Sequence, residues 1–146
     1  MKLLAQLAGA LVSLVTMFAT AQPAPAGLNP RYEPDLAQSV GADDLGMKGY
    51  VLVILKTGPN RMPAGPERDE MFKGHFANIN RLSSEGKLVL AGPLDGVDGW
   101  RGLYIFAASD IAAAKSLVET DPVVVKGEMV PELHKFYGSA ALVLVR

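Results

Sequence analysis

Two side chains of this sequence could together move a proton, His75 and Asp121. His75 lies within FKGHFANIN (72–80), and a histidine can give and take protons near neutral pH. Asp121 precedes Pro122, and a carboxylate beside a histidine can orient its ring and stabilise the imidazolium. Each residue also has a purely structural interpretation. A lone histidine on an apolar helix face is commonly a core residue bonded to a backbone carbonyl, and an acidic residue before proline commonly ends a helix.

Other catalytic and ligand-binding patterns are missing from the sequence. The chain has no cysteine, which excludes disulfides, Cys-ligated zinc sites and thiol catalysis. It contains neither the phosphate-loop pattern G-x-x-x-x-G-K-[ST] nor the nucleophile elbow G-x-S-x-G. The second histidine, His134, lies far along the chain from His75 without the spacing of paired metal ligands, and we expect it to be exposed. We therefore predict no metal site and no cofactor.

The segment that carries His75 is predicted to be a helix. Residues 64–86 have Pro66 near their start, which suits the first turn of a helix. At spacings of three and four residues, one stripe of this helix is formed by Met71, Phe72, His75, Phe76, Ile79 and Leu82. The apolar stripe predicts that His75 faces the sheet rather than open water.

A second helix and several strands complete the predicted elements. Residues 109–120 are typical of an amphipathic helix, with Ser109 or Asp110 as the N-cap. The helix should stop at Asp121, because the residue before a proline avoids the helical region. Strands are predicted at 48–59, at 87–94, at 100–108 and within 123–138, with one further short strand at 139–146.

The order of these elements is β-α-β-β-α-β, followed by the extra C-terminal strand. It predicts the ferredoxin-like, split βαβ arrangement of the α+β class, in which two helices cover one face of an antiparallel sheet. Since both helices lie on the same face, His75 and Asp121 could approach each other. The opposite sheet face would be bare in a monomer. We therefore expect a homodimer whose sheets pack face to face.

The N-terminal segment differs in composition from the rest of the chain. Residues 1–21, MKLLAQLAGALVSLVTMFATA, carry Lys2, then an uncharged apolar run, then an A-x-A ending. This pattern predicts a cleaved secretory signal peptide and a periplasmic or secreted protein. A retained membrane anchor is the alternative, because the uncharged run is just long enough to span a bilayer. Small residues at the expected cleavage position favour removal, which would leave no membrane-bound segment.

The remaining chain divides into an arm and one domain. Residues 22–47 are rich in proline and glycine and predict an irregular arm outside the core, with one helical turn near 35–40. Residues 48–146 form the predicted domain. The whole chain is 49% hydrophobic with a formal net charge of −1. Because Lys and Arg are not clustered, a nucleic-acid partner is not expected.

Several motifs resemble the YciI-like, YCII-related domain family, and its exported branch in particular. They lie in HFANINRLSSEGKLVLAGPL and LVETDPVVVKGEM, while GADDLGMKGYVLVILKTGPN and FYGSAAL resemble the exported branch. The family pattern is matched in order by His75, Gly86, Ala91, Gly92, Pro93, Asp121 and Pro122. The resemblance covers roughly residues 35 to 142. The signal peptide, the proline-rich arm and the long tail depart from it.

The resemblance implies a fold and a site more clearly than it implies a reaction. It implies a dimeric α+β barrel with a small cleft between helices and sheet, and His75 with Asp121 as the active centre. In this family the histidine has been suspected of proton transfer or of carrying a phosphoryl group, and one relative is a dehydrochlorinase acting on a chlorinated hydroxyquinol. An exported protein meets no ATP pool, which argues against phosphohistidine chemistry.

Two hypotheses for function follow. In the first, His75 is a general acid/base, Asp121 orients it, and the main chain near Gly92 and Pro93 lines the cleft. The reaction would be an elimination or isomerisation of a small molecule, such as an aromatic or lactone-like compound. In the second, the domain is a non-catalytic small-molecule-binding or structural dimeric module with His75 as a core residue. The first requires a cavity at His75 and a separation from Asp121 below about 6 Å.

Overall fold

A computed structural model of the protein describes residues 32–145, so the predicted signal peptide (1–21) and the start of the arm lie outside the described residues. The helices are α1 (Pro34–Ser39), α2 (Pro66–Ser84), α3 (Ile111–Val118) and α4 (Pro122–Val125). The strands are β1 (Met47–Thr57), β2 (Leu88–Pro93), β3 (Trp100–Phe106) and β4 (Met129–Ser139). A 3₁₀ turn (Val97–Gly99) joins β2 to β3, and a C-terminal 3₁₀ helix (Ala140–Leu144) follows β4. None of the helices in the described part of the chain is long and apolar enough to cross a membrane.

The four strands form one antiparallel sheet in the order β2-β3-β1-β4. The central strand β1 carries Val51, Val53 and Leu55 on one face, as the period of two along a strand requires. These side chains pack in one core with residues of α2, α3 and α4. The α+β class and the predicted ferredoxin-like order of elements are therefore confirmed.

The predicted C-terminal strand at 139–146 is wrong for its described residues, because β4 runs to Ser139 and Ala140–Leu144 form the C-terminal 3₁₀ helix. The Ser139 side chain accepts a hydrogen bond from the Ala141 N–H at 3.3 Å, and the Ala140 N–H donates to the Gly46 carbonyl at 3.0 Å. These bonds replace the ladder that a strand would need. The 3₁₀ helix contacts both β1 and β2.

The C-terminal 3₁₀ helix lies over the sheet face that is opposite the helices. Tyr50 points to that face, since it alternates with the core residue Val51, and its hydroxyl donates to the Ala140 carbonyl at 3.2 Å. Because β3 separates β1 from β2, a segment touching both strands crosses β3. The opposite face is thus partly covered within one chain. The homodimer stays a prediction.

The arm is more closely attached than its composition predicts. The helical turn expected near 35–40 is α1, and its residue Ala37 is buried together with Val40. The Lys48 ammonium donates to the Val40 carbonyl at 3.1 Å, and the Tyr137 hydroxyl donates to the Asp43 carboxylate. Although Ala37 and Val40 are buried, neither of them belongs to the main core cluster, and the division into an arm at 22–47 and a domain at 48–146 stays a prediction. Prolines, glycines and acidic residues interrupt the apolar side chains here, so the pattern alone did not reveal the contact.

The segment after β1 is hydrogen-bonded to the turn before β4, where the two backbones approach each other closely. The Gly58 N–H donates to the Glu128 carbonyl at 2.8 Å. A Cβ atom at Gly58 would lie 2.1 Å from the Gly127 carbonyl oxygen, a distance that no side chain tolerates. Only glycine fits there. This crossing places Glu128 beside the start of α2.

Candidate active site

His75 and Asp121 are brought together by the packing of α2 against α4. His75 lies on the buried face of α2. Asp121 is the N-cap of α4 and accepts a hydrogen bond from the Val123 N–H at 3.2 Å. A Cβ atom on Gly74 would lie 3.0 Å from the Pro122 ring. The missing side chain at Gly74 therefore lets the helix come close enough for its neighbour His75 to reach Asp121.

The His75 ring and the Asp121 carboxylate are in direct hydrogen-bond contact. Nδ1 of His75 lies 3.0 Å from Oδ1 and 2.9 Å from Oδ2 of Asp121. The side chain of His75 is 11% exposed and that of Asp121 is fully buried. A buried carboxylate is stable only if hydrogen-bond donors surround it, and here three groups donate: His75, the Val123 N–H and the Tyr104 hydroxyl.

The tautomer of His75 follows from this hydrogen-bond network. An ionised carboxylate can only accept hydrogen bonds, so Nδ1 must carry the proton that it donates to Asp121. In the neutral ring, Nε2 then holds a free lone pair. No hydrogen bond to Nε2 from residues 32–145 occupies it. Asp121 therefore presets the ring so that Nε2 can accept a proton.

Tyr104 is a third member of the network, and sequence reasoning missed it. Its hydroxyl donates to Oδ2 of Asp121 at 2.8 Å and lies 3.3 Å from Nδ1 of His75. The pKa of Tyr104 is raised far above its usual range, first by burial, then by the negative charge of Asp121 and the hydrogen bond to it. Tyr104 thus remains a donor at all ordinary pH values. The sequence offered one signal: Tyr104 lies two residues from Phe106 in the predicted strand 100–108, which puts both side chains on one face.

Removing the Tyr104 hydroxyl should measure its contribution to the network. We expect Tyr104→Phe to lower the free energy of unfolding by about 1.5–3 kcal/mol, because a hydrogen bond to a charged group is lost. Tyr50→Phe is the matched control, since Tyr50 is equally buried but donates to backbone carbonyls. It should cost only about 1 kcal/mol. Urea unfolding of both variants checks the difference, and equal losses would contradict a charged Asp121.

A cavity of about 440 Å³ opens beside His75. It is lined by Leu55, Phe72, His75, Phe76, Ile79, Ala91, Gly92, Pro93, Arg101, Gly102, Tyr104 and Met129. His75, Gly92 and Pro93, all predicted for the site, therefore border the same space, while Asp121 lies behind the His75 ring. A Cβ atom on Gly92 would meet nothing within 4 Å, so the room beside it is open. The volume suits a small organic molecule.

Aromatic rings fix the plane of the His75 ring in the cavity wall. Phe72 and Phe76 contact it edge-on, with centroid distances of 5.8 Å and 5.2 Å. The Tyr104 ring lies nearly parallel to it at 6.3 Å. Such contacts restrict ring rotation and keep water away from the buried side. The cavity wall thus presents Nε2 in a largely apolar setting.

Arg101 brings a permanent positive charge to the cavity, and sequence reasoning also missed it. Arg101 lies on β3, is partly buried, and lines the cavity with His75. The pairing of β1 with β3 is irregular beside Arg101, because the register shifts between Leu55 and Lys56 of β1. Such an irregularity redirects side chains at a strand end. Alternation along the strand could not predict where Arg101 points.

A buried ion pair supports the cavity wall from outside. The carboxylate of Glu128, which is fully buried, accepts from the Met62 N–H at 2.7 Å and from the Arg68 guanidinium at 3.0 Å. Burial opposes ionisation of Glu128, but the two hydrogen bonds together with the positive charges of Arg68 and Arg101 outweigh it, so that its pKa is lowered. Arg68 also lies over the ring of Phe72, 4.6 Å from its centroid. The pair therefore holds a lining residue in place.

The second histidine does not take part in the site. His134 is exposed, and its Nε2 lies 2.8 Å from a carboxylate oxygen of Glu132. No group of three or more His, Asp or Glu side chains within residues 32–145 is arranged to hold a metal ion.

Comparison with known proteins gives the family of the chain. Residues 49–132 match the YCII-related domain family. This match spans more than half of the sequence, so the chain belongs to that family, and the predicted family is confirmed. The structure resembles that of 5-chloro-2-hydroxyhydroquinone dehydrochlorinase from Burkholderia phenoliruptrix AC1100, solved in complex with 2,5-dihydroxybenzoquinone, with 22% identity and a TM-score of 0.44 over 60% of this chain and 92% of that one. The chain has no significant match among curated proteins.

Proposed function

We propose that this protein is an enzyme in which His75 acts as general acid/base on a small molecule bound in the cavity. The observation that supports this proposal is the binding of Nδ1 by Asp121 while the same ring lines the cavity. The reaction is an elimination or isomerisation, for example of an aromatic or lactone-like compound. It requires no cofactor. A classification in the YCII-related family is compatible with this role without fixing the substrate.

The proton transfers in such a reaction can be written for the residues present. The lone pair on Nε2 of His75 takes a proton from an acidic C–H of the ligand. The imidazolium so formed is stabilised by the carboxylate of Asp121 at 2.9 Å. In an isomerisation His75 returns the proton to a different carbon. In an elimination the electron pair of the broken C–H bond expels a leaving group as an anion, and His75 later releases its proton to water.

The composition of the cavity wall favours these steps. Aliphatic and aromatic side chains make up most of the lining. The carboxylate of Asp121 is shielded from solvent on the buried side of the ring, and a low local polarity strengthens its attraction to an imidazolium. Asp121 is fully buried, so its charge acts on His75 rather than on solvent.

We also propose that the enzyme works outside the cytoplasm as a homodimer. Export is supported by the apolar run and the A-x-A ending of residues 1–21. Dimerisation is supported by apolar side chains on the sheet face opposite the helices, including Leu52 and Leu103, which are only partly buried.

A second candidate function is a binding module without catalysis. The favouring observation is that the hydrogen bonds of the Asp121 carboxylate are all made inside the protein, to His75, Tyr104 and Val123. A network of this kind can serve only to stabilise the core. The cavity would then bind an apolar molecule without moving a proton.

Deuterium exchange separates the two functions. Wild-type protein is incubated in D₂O with a panel of small lactones, cyclic ketones and hydroxylated aromatic compounds, and NMR follows the loss of acidic C–H protons. We expect exchange of at least one compound, and a decrease of about 10²- to 10⁴-fold for His75→Gln. His134→Gln is the matched control, because it removes the exposed histidine, and it should leave the rate unchanged.

Two outcomes would contradict an acid/base role. Exchange that persists in His75→Gln would assign the proton transfer to another group. Binding of panel compounds by wild-type protein without any exchange would favour the binding module. Thermal melting of each variant shows whether a loss of exchange reflects a loss of fold.

A further inference from the structure

We infer that the ligand of this cavity is a small apolar molecule carrying one anionic oxygen group, a carboxylate or a phenolate, which binds to the guanidinium of Arg101. The inference rests on the proposed function in placing the reacting carbon of that ligand at His75. It goes further by giving the chemical class of the ligand. Three features of the cavity carry it: its polar groups, the surroundings of Arg101 and the charge of Arg101.

The first feature is the small number of polar groups that face the cavity. Three lining residues carry an N–H or O–H group in the side chain, namely His75, Tyr104 and Arg101. The Tyr104 hydroxyl is already bound to Asp121 at 2.8 Å. Two groups remain for a ligand, the imidazole of His75 and the guanidinium of Arg101. The other lining side chains are apolar, and further polar contacts could come only from the main chain, for example at Gly92 on the edge strand β2.

The second feature is that Arg101 lacks a carboxylate of its own. Within residues 32–145 it takes part in no ion pair, whereas the two buried carboxylates near the cavity, Asp121 and Glu128, are both bound by donors of the protein. Glu128, whose pKa is lowered in part by the charge of Arg101, has its oxygens bound to Arg68 and to the Met62 N–H. Arg101 is therefore a partly buried cation with its hydrogen-bond donors available to a ligand.

The third feature is the nature of the guanidinium group. Arginine is always charged, and its planar fork of N–H donors matches the two oxygens of a carboxylate or the single oxygen of a phenolate. In an apolar cavity a bound anion gains these charge-assisted hydrogen bonds. A neutral ligand leaves the charge unmatched, and a cationic ligand is repelled. The cavity thus selects by charge as well as by shape.

An anchored anionic group also fits the proton transfer at His75. When Nε2 removes a proton from carbon, negative charge spreads from that carbon onto a conjugated oxygen of the ligand. A guanidinium beside that oxygen stabilises the charge as it develops. Arg101 would then contribute to turnover and to binding, and its substitution should affect both.

Matched probes test the selection by charge. Benzoate and benzamide have nearly the same shape, but only benzoate carries a negative charge. We expect calorimetry or NMR titration of the full chain to show benzoate binding about tenfold or more tightly than benzamide. Arg101→Gln should abolish this preference, and Arg101→Lys should retain part of it. Lys56→Gln is the control, because Lys56 is a cation near Arg101 in the sheet that pairs with Glu132 outside the cavity.

The outcomes distinguish this inference from the proposed function. Equal binding of the two probes, no binding of either by wild-type protein, or a benzoate preference that survives Arg101→Gln would each overturn the anion site. None of these results would contradict the proposed function, because proton exchange that depends on His75 is measured separately. Conversely, an Arg101-dependent preference for benzoate without any His75-dependent exchange would support the anion site and contradict the enzyme.

Discussion

Asp121→Ala should lower the free energy of unfolding by about 3–5 kcal/mol, the loss expected when one partner of a buried charged network is removed. The substitution leaves three buried donors without an acceptor: Nδ1 of His75, the Tyr104 hydroxyl and the Val123 N–H. Each unpaired donor costs desolvation energy that the folded protein cannot recover. Urea unfolding followed by circular dichroism measures the loss.

Asp110→Ala provides the matched control for this prediction. Asp110 is also the N-cap of a helix, where it accepts a hydrogen bond from the Ala113 N–H at 2.8 Å, but it is exposed. Water can replace its bond, so the loss should be much smaller than for Asp121. If both alanine variants lose the same stability, Asp121 acts only as a helix cap and the buried network contributes nothing.

Glu128→Ala should be the second strongly destabilising change, with a loss of about 2–4 kcal/mol. It leaves the Met62 N–H and the Arg68 guanidinium without their acceptor. Because the Arg68 side chain is 25% exposed, water can partly replace the carboxylate, and the loss should stay below that of Asp121→Ala. The control is Glu132→Ala, which removes an exposed partner of Lys56 and should change stability little. Similar losses for the two glutamates would contradict a buried ion pair.

The lowered pKa of Glu128 also predicts how its contribution depends on pH. Its pKa in the folded protein is below the ordinary value of 4.5, so the unfolded chain binds a proton at higher pH than the folded chain does. The stabilisation is therefore complete above about pH 4.5 and is lost as the pH falls through the lower, folded-state pKa. Glu128→Gln lacks this ionisation. The stability difference between wild type and Glu128→Gln should shrink below pH 4.5, and a difference that grew there would contradict the sign.

The parts of the site that follow local rules could be predicted from the sequence. The apolar stripe of α2 placed His75 on its buried face. Pro122 correctly marked a helix boundary at Asp121, but α3 already ends at Val118, and Asp121 is the N-cap of the next helix, α4. The β-α-β-β-α-β order then put both on one side of the sheet. These inferences succeed because they depend only on periodicity, on proline geometry and on the connection rules of small α+β folds.

The parts that depend on packing between distant segments could not be predicted. In the sequence, Tyr104 cannot be distinguished from an ordinary core aromatic residue. Only the structure shows that its hydroxyl donates to Asp121. The direction of Arg101 depends on an irregular register between β1 and β3. Residues 139–146 have the composition of a strand, but the C-terminal 3₁₀ helix forms because hydrogen bonds to Ser139 and Gly46 and packing on the sheet outweigh strand propensity.

The central claim is that Asp121 holds His75 with Nε2 unprotonated at the cavity. Long-range proton–nitrogen NMR of the His75 ring, recorded where the ring is neutral, tests it most directly, because protonated and bare ring nitrogens differ widely in chemical shift. His134 gives an internal reference, and Asp121→Asn should weaken the preference for one tautomer. We expect a proton on Nδ1 and a bare Nε2 in wild-type protein. A proton on Nε2 would mean that His75 cannot be the base proposed here.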